Sequence, residues 1–248
     1  MGPNFKGAAA VCLMALSGFQ QVTAVTAPKF AVEAAGEDAY ISVNLARVGQ
    51  MSVRINQLTK DDGLIEGLQE TLPGAEALRA VTTCAEAISE LKKQKTFVAQ
   101  FIKDDDKNYR QSVQEALTTG LKQVESYPTT DAKWQDFWGN VDGANLASLL
   151  WSNSTKVGCA VGICTEGTHD TRSTTTKAAF LFCQMSPAAE ENKAPFDKEY
   201  YEALTERKTL LTAMTEEDLK APVKGAAAAA VPCLVLAGLY AIVAFASA

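Results

Sequence analysis

The stretch LLWSNSTKVGCAVGIC at residues 149–164, together with AAFLFC at residues 178–183, decides the fold of this 248-residue chain. Each stretch ends in a short apolar run, and the polar, threonine-rich segment TEGTHDTRSTTTK lies between them at residues 165–177. Two short apolar runs that flank a polar connection are typical of a β-hairpin with a long loop. The sequence therefore predicts an antiparallel pair of strands in this region.

The cysteines of the hairpin constrain its register. If Cys164 lies opposite Ala178 in the antiparallel ladder, Cys159 lies opposite Cys183, and those two can bridge directly. Cys159 and Cys164 are five positions apart, so on a strand they point to opposite faces, roughly 16 Å from each other, and cannot bond. In this register Cys164 turns toward the other face of the sheet, where its remaining partner is Cys84.

Helical patterns in the first half of the chain supply a cover for this sheet. Apolar residues recur at three- and four-residue spacing in residues 39–58, 73–93 and 108–124, as in amphipathic helices, and Cys84 is expected in mid-helix. Residues 188–219 are polar with scattered apolar anchors, so we expect a partly helical segment laid over the domain. These elements predict a single α+β domain with helices on both faces of a sheet.

The first 24 residues have the layout of a secretory signal peptide. An early cation, Lys6, precedes a short apolar run and a small-residue site at residues 22–24. The alternative is a buried N-terminal helix. The apolar run is too short to span a bilayer.

The opposite end is typical of a glycosylphosphatidylinositol (GPI) signal. From Gly225 to the C-terminus the chain carries no charged residue, and small residues at 225–227 are followed by a short spacer and an apolar tail. A membrane-spanning tail helix is the alternative. We therefore predict a domain at residues 25–219, a tether at 220–225 with lipid attachment at Gly225, and a removed tail at 226–248.

Composition and charge exclude several classes of function. With 47% hydrophobic residues the chain can bury a core, and its formal net charge of −6 argues against nucleic acid as a partner. His169 is the only histidine, which excludes most zinc-hydrolase sites. Cys12 and Cys233 lie in the processed ends, and the four other cysteines imply two disulfides. A four-thiolate zinc site is the rival, but it needs paired CxxC motifs and the chain has none.

Several other residues are candidates for a function or for a purely structural role. Asn153 opens the sequon Asn-Ser-Thr and is a candidate glycosylation site. His169 lies beside an aspartate, but no GxSxG motif accompanies it, so we read it as an exposed loop residue. Four aromatic residues are expected in the core or a cleft wall rather than on a ligand platform: Trp134, Phe137, Trp138 and Trp151. Five cations would suit sulfated glycans if they formed one patch: Lys133, Lys156, Arg172, Lys177 and Lys193.

The hairpin region resembles the signature of the CAP superfamily, the cysteine-rich secretory, antigen-five and pathogenesis-related proteins. Those proteins carry a Trp, a short polar stretch, Gly-Cys-Ala, a second Cys, and then an apolar strand ending in Cys and Pro. LLWSNSTKVGCAVGIC followed by AAFLFCQMSP is similar to that pattern. The resemblance implies a three-layer α-β-α sandwich with the disulfides Cys84–Cys164 and Cys159–Cys183.

Two positions depart from the family pattern. The family has a His just before its Asn-x-x-Arg motif, where this chain has Val43 before Asn44 and Arg47. A second family His lies six residues before the Trp, where this chain has Asn145. The metal site of the family is therefore not expected here, and we predict no metal, no cofactor and no enzymatic activity.

A narrower resemblance is to the GPI-anchored surface antigens of the coccidian parasite Eimeria, whose CAP-like fold lacks the histidines. The segments ANLASLLWSNSTKVGCAVGICTEG, PFDKEYYEALTERKTLL and AMTEEDLK and the apolar tail carry it. It implies display on invasive stages, at the outer leaflet of the plasma membrane, with host antibodies and a host-cell surface component as partners. The alternatives are a tethered lipid- or sterol-binding CAP-type module and, because the histidines are missing, more weakly a hydrolase.

Overall fold

The computed structural model describes residues 28–72, 81–101, 108–166 and 176–220, with side chains from residue 178 in the last range. Within these ranges five strands and seven helices follow one another along the chain. They are β1 (Lys29–Ala34), α1 (Glu37–Val48), β2 (Thr59–Lys60), α2 (Asp62–Thr71), α3 (Cys84–Lys92), β3 (Phe97–Gln100), α4 (Tyr109–Leu121), α5 (Asp131–Gly139), α6 (Val141–Leu150), β4 (Lys156–Glu166), β5 (Thr176–Ser186) and α7 (Lys198–Glu206). Two 3-10 turns follow, Leu211–Ala213 and Glu216–Leu219.

The long hairpin of β4 and β5 forms the centre of the sheet. The two strands pair antiparallel over their whole length, with Cys159 opposite Cys183 and Cys164 opposite Ala178. The predicted register is therefore confirmed. β1 pairs antiparallel with the second half of β4, and β3 pairs with β5, so the order is β1-β4-β5-β3. The two-residue β2 pairs parallel with the start of β4.

Helices cover both faces of this sheet. On one face Val157, Val161 and Leu181 pack in the larger core with residues of α1, α4, α5, α6 and α7. On the other, Phe180 and Phe182 pack in a smaller core with residues of α2 and α3. Strands that are buried on both faces read as near-continuous apolar runs, which is why the hairpin stands out in the sequence. The predicted three-layer α-β-α arrangement is confirmed.

The approach of α2 to the sheet depends on a glycine. A Cβ at Gly158 would lie 2.4 Å from Leu64 Cβ and 2.6 Å from the backbone nitrogen of Ile65. Any larger residue at this position of β4 would push α2 away from the sheet.

The helix boundaries differ from the sequence prediction in two places. The helix predicted over residues 39–58 ends at Val48, and Gly49 is its C-cap. Cys84 is the first residue of α3 rather than a mid-helix residue, because Thr83 caps the helix through a capping box with Glu86. The expected helix start at residue 73 lies outside the described residues. The helix predicted over residues 108–124 is α4 and is confirmed.

Candidate functional site

A disulfide joins the two central strands on the face of the larger core. The Cys159 and Cys183 Cα atoms are 4.2 Å apart. The Cys159 N–H donates to Tyr40 Oη at 3.2 Å, and its carbonyl oxygen accepts from the Ala35 N–H at 3.3 Å. Because these backbone groups point away from β5, the two cysteines form a non-hydrogen-bonded pair, the pair in which Cα atoms come closest. A direct cross-strand bridge is therefore accommodated.

The second disulfide lies on the opposite face and ties α3 to the sheet. Cys84 and Cys164 are bonded, with their Cα atoms 5.8 Å apart. The Cys84 N–H also donates to Glu166 Oε1 at 2.6 Å, which satisfies one free amide of the first turn of α3. The two bonds thus anchor β4 on both of its faces. Their pairing is the one that the CAP resemblance implies.

The two positions of the family histidines are structural in this chain. Val43 is fully buried in the larger core. Asn145 is 2% exposed, and its side chain accepts from the Val98 N–H at 2.8 Å and donates to the Val98 carbonyl at 2.9 Å. These bonds satisfy the backbone N–H and carbonyl of Val98 at the outer edge of β3, which would otherwise be unpaired. Within the described residues there is no group of three or more His, Cys, Asp or Glu that could hold a metal ion.

Asn44 and Arg47, the Asn-x-x-Arg motif of α1, form a buried hydrogen-bond network with the backbone of neighbouring segments. Asn44 bonds the backbone of Leu58 in both directions, at 2.9 and 2.8 Å. The fully buried Arg47 guanidinium donates to the carbonyls of Leu149 at 2.6 Å and Trp151 at 3.0 Å, at the C-terminal end of α6. Burial lowers the pKa of Arg47 to about 10, so it is still a cation at neutral pH. The negative end of the α6 dipole stabilises the positive charge of the guanidinium.

The C-terminal segment packs over this hydrogen-bond network. Tyr200 is fully buried on α7, and its hydroxyl donates to the Arg47 carbonyl at 2.8 Å. Burial raises the pKa of Tyr200 well above its ordinary value, so it stays a neutral donor. Arg207 donates to the carbonyls of Leu45 at 3.0 Å and Gly49 at 3.2 Å, which caps the C-terminus of α1. The expected partly helical cover is therefore present.

The candidate glycosylation site lies on a turn at the start of β4. The turn is closed by the Ser154 N–H, which donates to the Trp151 carbonyl at 3.1 Å. Asn153 is exposed, whereas Ser154 is buried and its hydroxyl donates to the Pro187 carbonyl at 2.7 Å. An exposed asparagine on a surface turn is sterically open to modification. Glycosylation of Asn153 remains a prediction.

The four aromatic residues singled out in the sequence lie in the larger core. Trp134 makes edge-to-face contacts with Phe137 and with Phe196, at ring-centroid distances of 5.5 and 6.2 Å. Trp138 and Trp151 are 9% and 5% exposed. Their interpretation as core or cleft wall is confirmed: Trp138 lines one cavity and Phe137 lines a separate groove.

That cavity, here called the α5–α6 cavity, has a volume of about 370 Å³. It lies between the end of α3, the junction of α5 and α6, and the loop after β5. Trp138, Val141 and Ala144 are among its apolar lining residues, and Lys95 and Asn192 are among its polar ones. Nothing in the sequence patterns indicated this cavity, because its residues come from three separate segments.

The predicted basic patch finds no support in the contacts of its cations. Lys156, at the start of β4, forms an ion pair with Asp61 at 2.9 Å. Lys133 lines a different groove, together with Lys122 and Asp136. The side chains of Arg172 and Lys177, like His169, lie outside the described residues.

A family model agrees with this architecture. Residues 73–185 match the family model "CAP: Cysteine-rich secretory protein family", and this segment contains all four disulfide-bonded cysteines. The matched segment, the sandwich and the two bridges define a CAP-like domain. Among solved structures the chain is similar to the Eimeria tenella surface antigen protein SAG19, with 24% sequence identity and a TM-score of 0.49. That similarity covers 73% of this chain and 98% of the SAG19 chain. No curated protein matches the chain.

Proposed function

We propose that this protein is a lipid-anchored surface antigen, displayed on the outer leaflet of the plasma membrane of invasive parasite stages and engaged in host-cell attachment. The observation that carries the proposal is the pair of disulfides that anchor β4 on both faces, between Cys84 and Cys164 and between Cys159 and Cys183. Such bridges persist in oxidising, extracellular environments. The signal-peptide layout of residues 1–24, the GPI-type tail and the resemblance to Eimeria surface antigens support it further.

The proposed role is binding and display without chemistry. The two positions that hold histidines in the family are filled by Val43 and Asn145, and both are committed to packing or to backbone hydrogen bonds. General acid–base catalysis needs a titratable group free to reach a substrate. Neither side chain can serve in that role.

The end of the described chain suggests how the domain would stand on a membrane. Gln50 donates from its backbone N–H to the Asp218 carbonyl at 3.2 Å and from its side chain to Asp218 Oδ1 at 2.8 Å, and Arg54 donates to the Leu219 carbonyl. This loop leads into β2, which pairs with the first residues of β4. A tether at 220–225 would therefore leave the domain near the start of β4.

The far end of the hairpin would then point away from the membrane. An 11-residue strand such as β4 extends over roughly 33 Å at about 3.3 Å per residue. Glu166 would lie at the outer end of the domain, beside the buried Cys84–Cys164 bridge. With many copies on one membrane, weak single contacts with a host surface would sum by avidity to a firm attachment. Host antibodies would meet the same end of the domain.

Treatment of intact expressing cells with phosphatidylinositol-specific phospholipase C tests the anchor. Release of the protein into the supernatant is expected. The matched control replaces the small residues at the attachment site, Gly225→Trp, Ala226→Trp and Ala227→Trp, and should abolish release. If the unmodified protein is retained while a known GPI-anchored protein is freed from the same cells, the anchor proposal is wrong and the tail stays as a membrane helix.

The alternative proposal, a tethered lipid- or sterol-binding module, needs an apolar cavity that holds a hydrocarbon. The α5–α6 cavity instead has lysine, glutamate and amide side chains in its lining. Within the described residues, no helix is long and apolar enough to cross a membrane. Extraction of bound lipid from the purified protein would favour the alternative, and lipid-free protein would argue against it.

A further inference from the structure

We propose that the α5–α6 cavity binds an acidic saccharide unit, one that carries a carboxylate or a sulfate group. Its volume of about 370 Å³ lies in the range of small-molecule sites. The cavity itself is independent of the anchor. Only the source of the ligand, a glycan of the host-cell surface, rests on the proposed function.

The apolar part of the lining offers a small contact surface for the C–H groups of a sugar ring. Trp138, Val141 and Ala144 contribute it. The Trp138 indole N–H donates to the Lys193 carbonyl at 2.7 Å, and its ring packs edge-on against Phe137 at a centroid distance of 6.5 Å. The ring is therefore held in place before a ligand arrives. Sugar rings present C–H groups on one face, and these can pack against an indole without losing hydrogen bonds.

The polar lining matches the hydroxyl and acidic groups of such a ligand. Gln135 and Asn192 each offer a donor and an acceptor for hydroxyl groups. Lys93 and Lys95 bring two ammonium groups to the lining, where Glu191 is the one carboxylate, and the partner of Lys93, Glu90, lies outside the lining. A bound anion would find complementary charge here.

Both lysines can turn toward a ligand at little cost. The Lys95–Glu191 pair is 4.0 Å long, and the Lys93–Glu90 pair, at 2.8 Å, is about half exposed on both sides. Exposed ion pairs of this kind are weak and readily exchanged. A carboxylate or sulfate in the cavity can therefore compete for the two ammonium groups.

The backbone of the lining provides an independent indication. Three non-glycine residues of the described chain have positive φ angles, and two of them, Lys95 at 58° and Asn192 at 62°, line this cavity. Lys95 follows the end of α3, a position where glycine adopts this conformation without strain. Such conformations concentrate at ligand sites. Lys95 adopts this conformation in place of glycine and brings its cation to the cavity.

Saturation-transfer NMR on the full chain, purified in detergent, tests the proposal with three probes. A heparin-derived tetrasaccharide carries sulfates, sialyllactose carries a carboxylate, and lactose is neutral. We expect at least one acidic probe to bind and lactose not to bind. Because the two acidic probes differ in their acid group, the responsive one identifies which source of acid the cavity accepts. Equal binding of lactose, or no binding by either acidic probe, overturns the proposal.

Two variants locate the binding. Lys95→Glu should weaken binding of the responsive probe by roughly tenfold or more, since it removes a charge-assisted contact and adds repulsion. Lys133→Glu makes the same charge change on α5 in a different groove and should bind normally. If Lys95→Glu binds like the unmodified protein, the cavity is not the site. A shared thermal melting temperature shows that the variants are folded, and phospholipase release tests the anchor separately.

Discussion

Removal of the Cys84–Cys164 disulfide should destabilise the domain more than removal of Cys159–Cys183. The Cys84–Cys164 bridge closes a loop of 80 residues, and the Cys159–Cys183 bridge closes a loop of 24. By the chain-entropy relation these loops correspond to about 4.5 and about 3.5 kcal/mol of stabilisation at 25 °C. The difference arises in the unfolded state, where the longer loop restricts more conformations. The Cys84→Ala/Cys164→Ala variant should therefore lose about 4.5 kcal/mol of unfolding free energy.

Folded-state contacts indicate where that loss appears first. Cys84 is the first residue of α3, and this helix packs on Phe180 and Phe182 in the smaller core. Without the bridge, α3 is held to the domain by this packing, the Cys84 N–H bond to Glu166 and the Lys92–Asp142 ion pair to α6. Loss of the bridge should accelerate amide hydrogen exchange more in α3 than in β4 and β5.

Urea unfolding of the full chain, followed by tryptophan fluorescence in non-reducing buffer, measures the effect. The three tryptophans, Trp134, Trp138 and Trp151, lie in the larger core and report global unfolding. The Cys159→Ala/Cys183→Ala variant is the matched control. A loss below about 1 kcal/mol for the 84–164 variant, or a smaller loss than for the 159–183 variant, would refute the reasoning, because loop closure predicts about 4.5 kcal/mol and the opposite order.

Three further predictions follow from the polar contacts. Arg47→Met should lower the unfolding free energy by at least about 3 kcal/mol in urea titrations, since buried carbonyls lose their donor. The pKa of Asp61 lies below its ordinary 3.8 because of its hydrogen bonds, first with Lys156 and then with the Leu64 N–H, so it stabilises the fold above that pH and the contribution is lost on acidification. Asp61→Asn should therefore flatten the acid side of a urea-midpoint profile, and an unchanged slope would contradict this. Asn153→Gln should increase the gel mobility of protein expressed in eukaryotic cells, and unchanged mobility would mean that the sequon is unoccupied.

Much of the central sheet could be predicted from the sequence because its information is local. The two apolar runs 157–164 and 178–183 predict the hairpin, and the register that would place Cys159 opposite Cys183 is the observed one. The edge strands β1 and β3 were missed, because six and four residues are too few for a clear alternation. Helices α5 and α6 were also not predicted.

The start of α3 shows a signal that periodicity concealed. Apolar spacing continues upstream of Cys84, which suggested a longer helix. The Thr83–Glu86 capping box, visible in the sequence as TCAE, marks the observed start. A hydrogen-bonding signal at one residue outweighed a pattern spread over a segment.

The sequence by itself determined the hairpin, since two apolar runs on either side of a polar connection act between near neighbours. The cysteine pairing followed only under an assumed register or from the CAP resemblance, and the structure fixed that register. Only the tertiary structure decided the roles of Arg47, Asn145 and the α5–α6 cavity. Arg47 bonds to Leu149 across 102 positions and Asn145 to Val98 across 47. Such contacts depend on where whole helices come to rest, because burial of many apolar side chains sets the helix positions and the polar groups then find partners within reach.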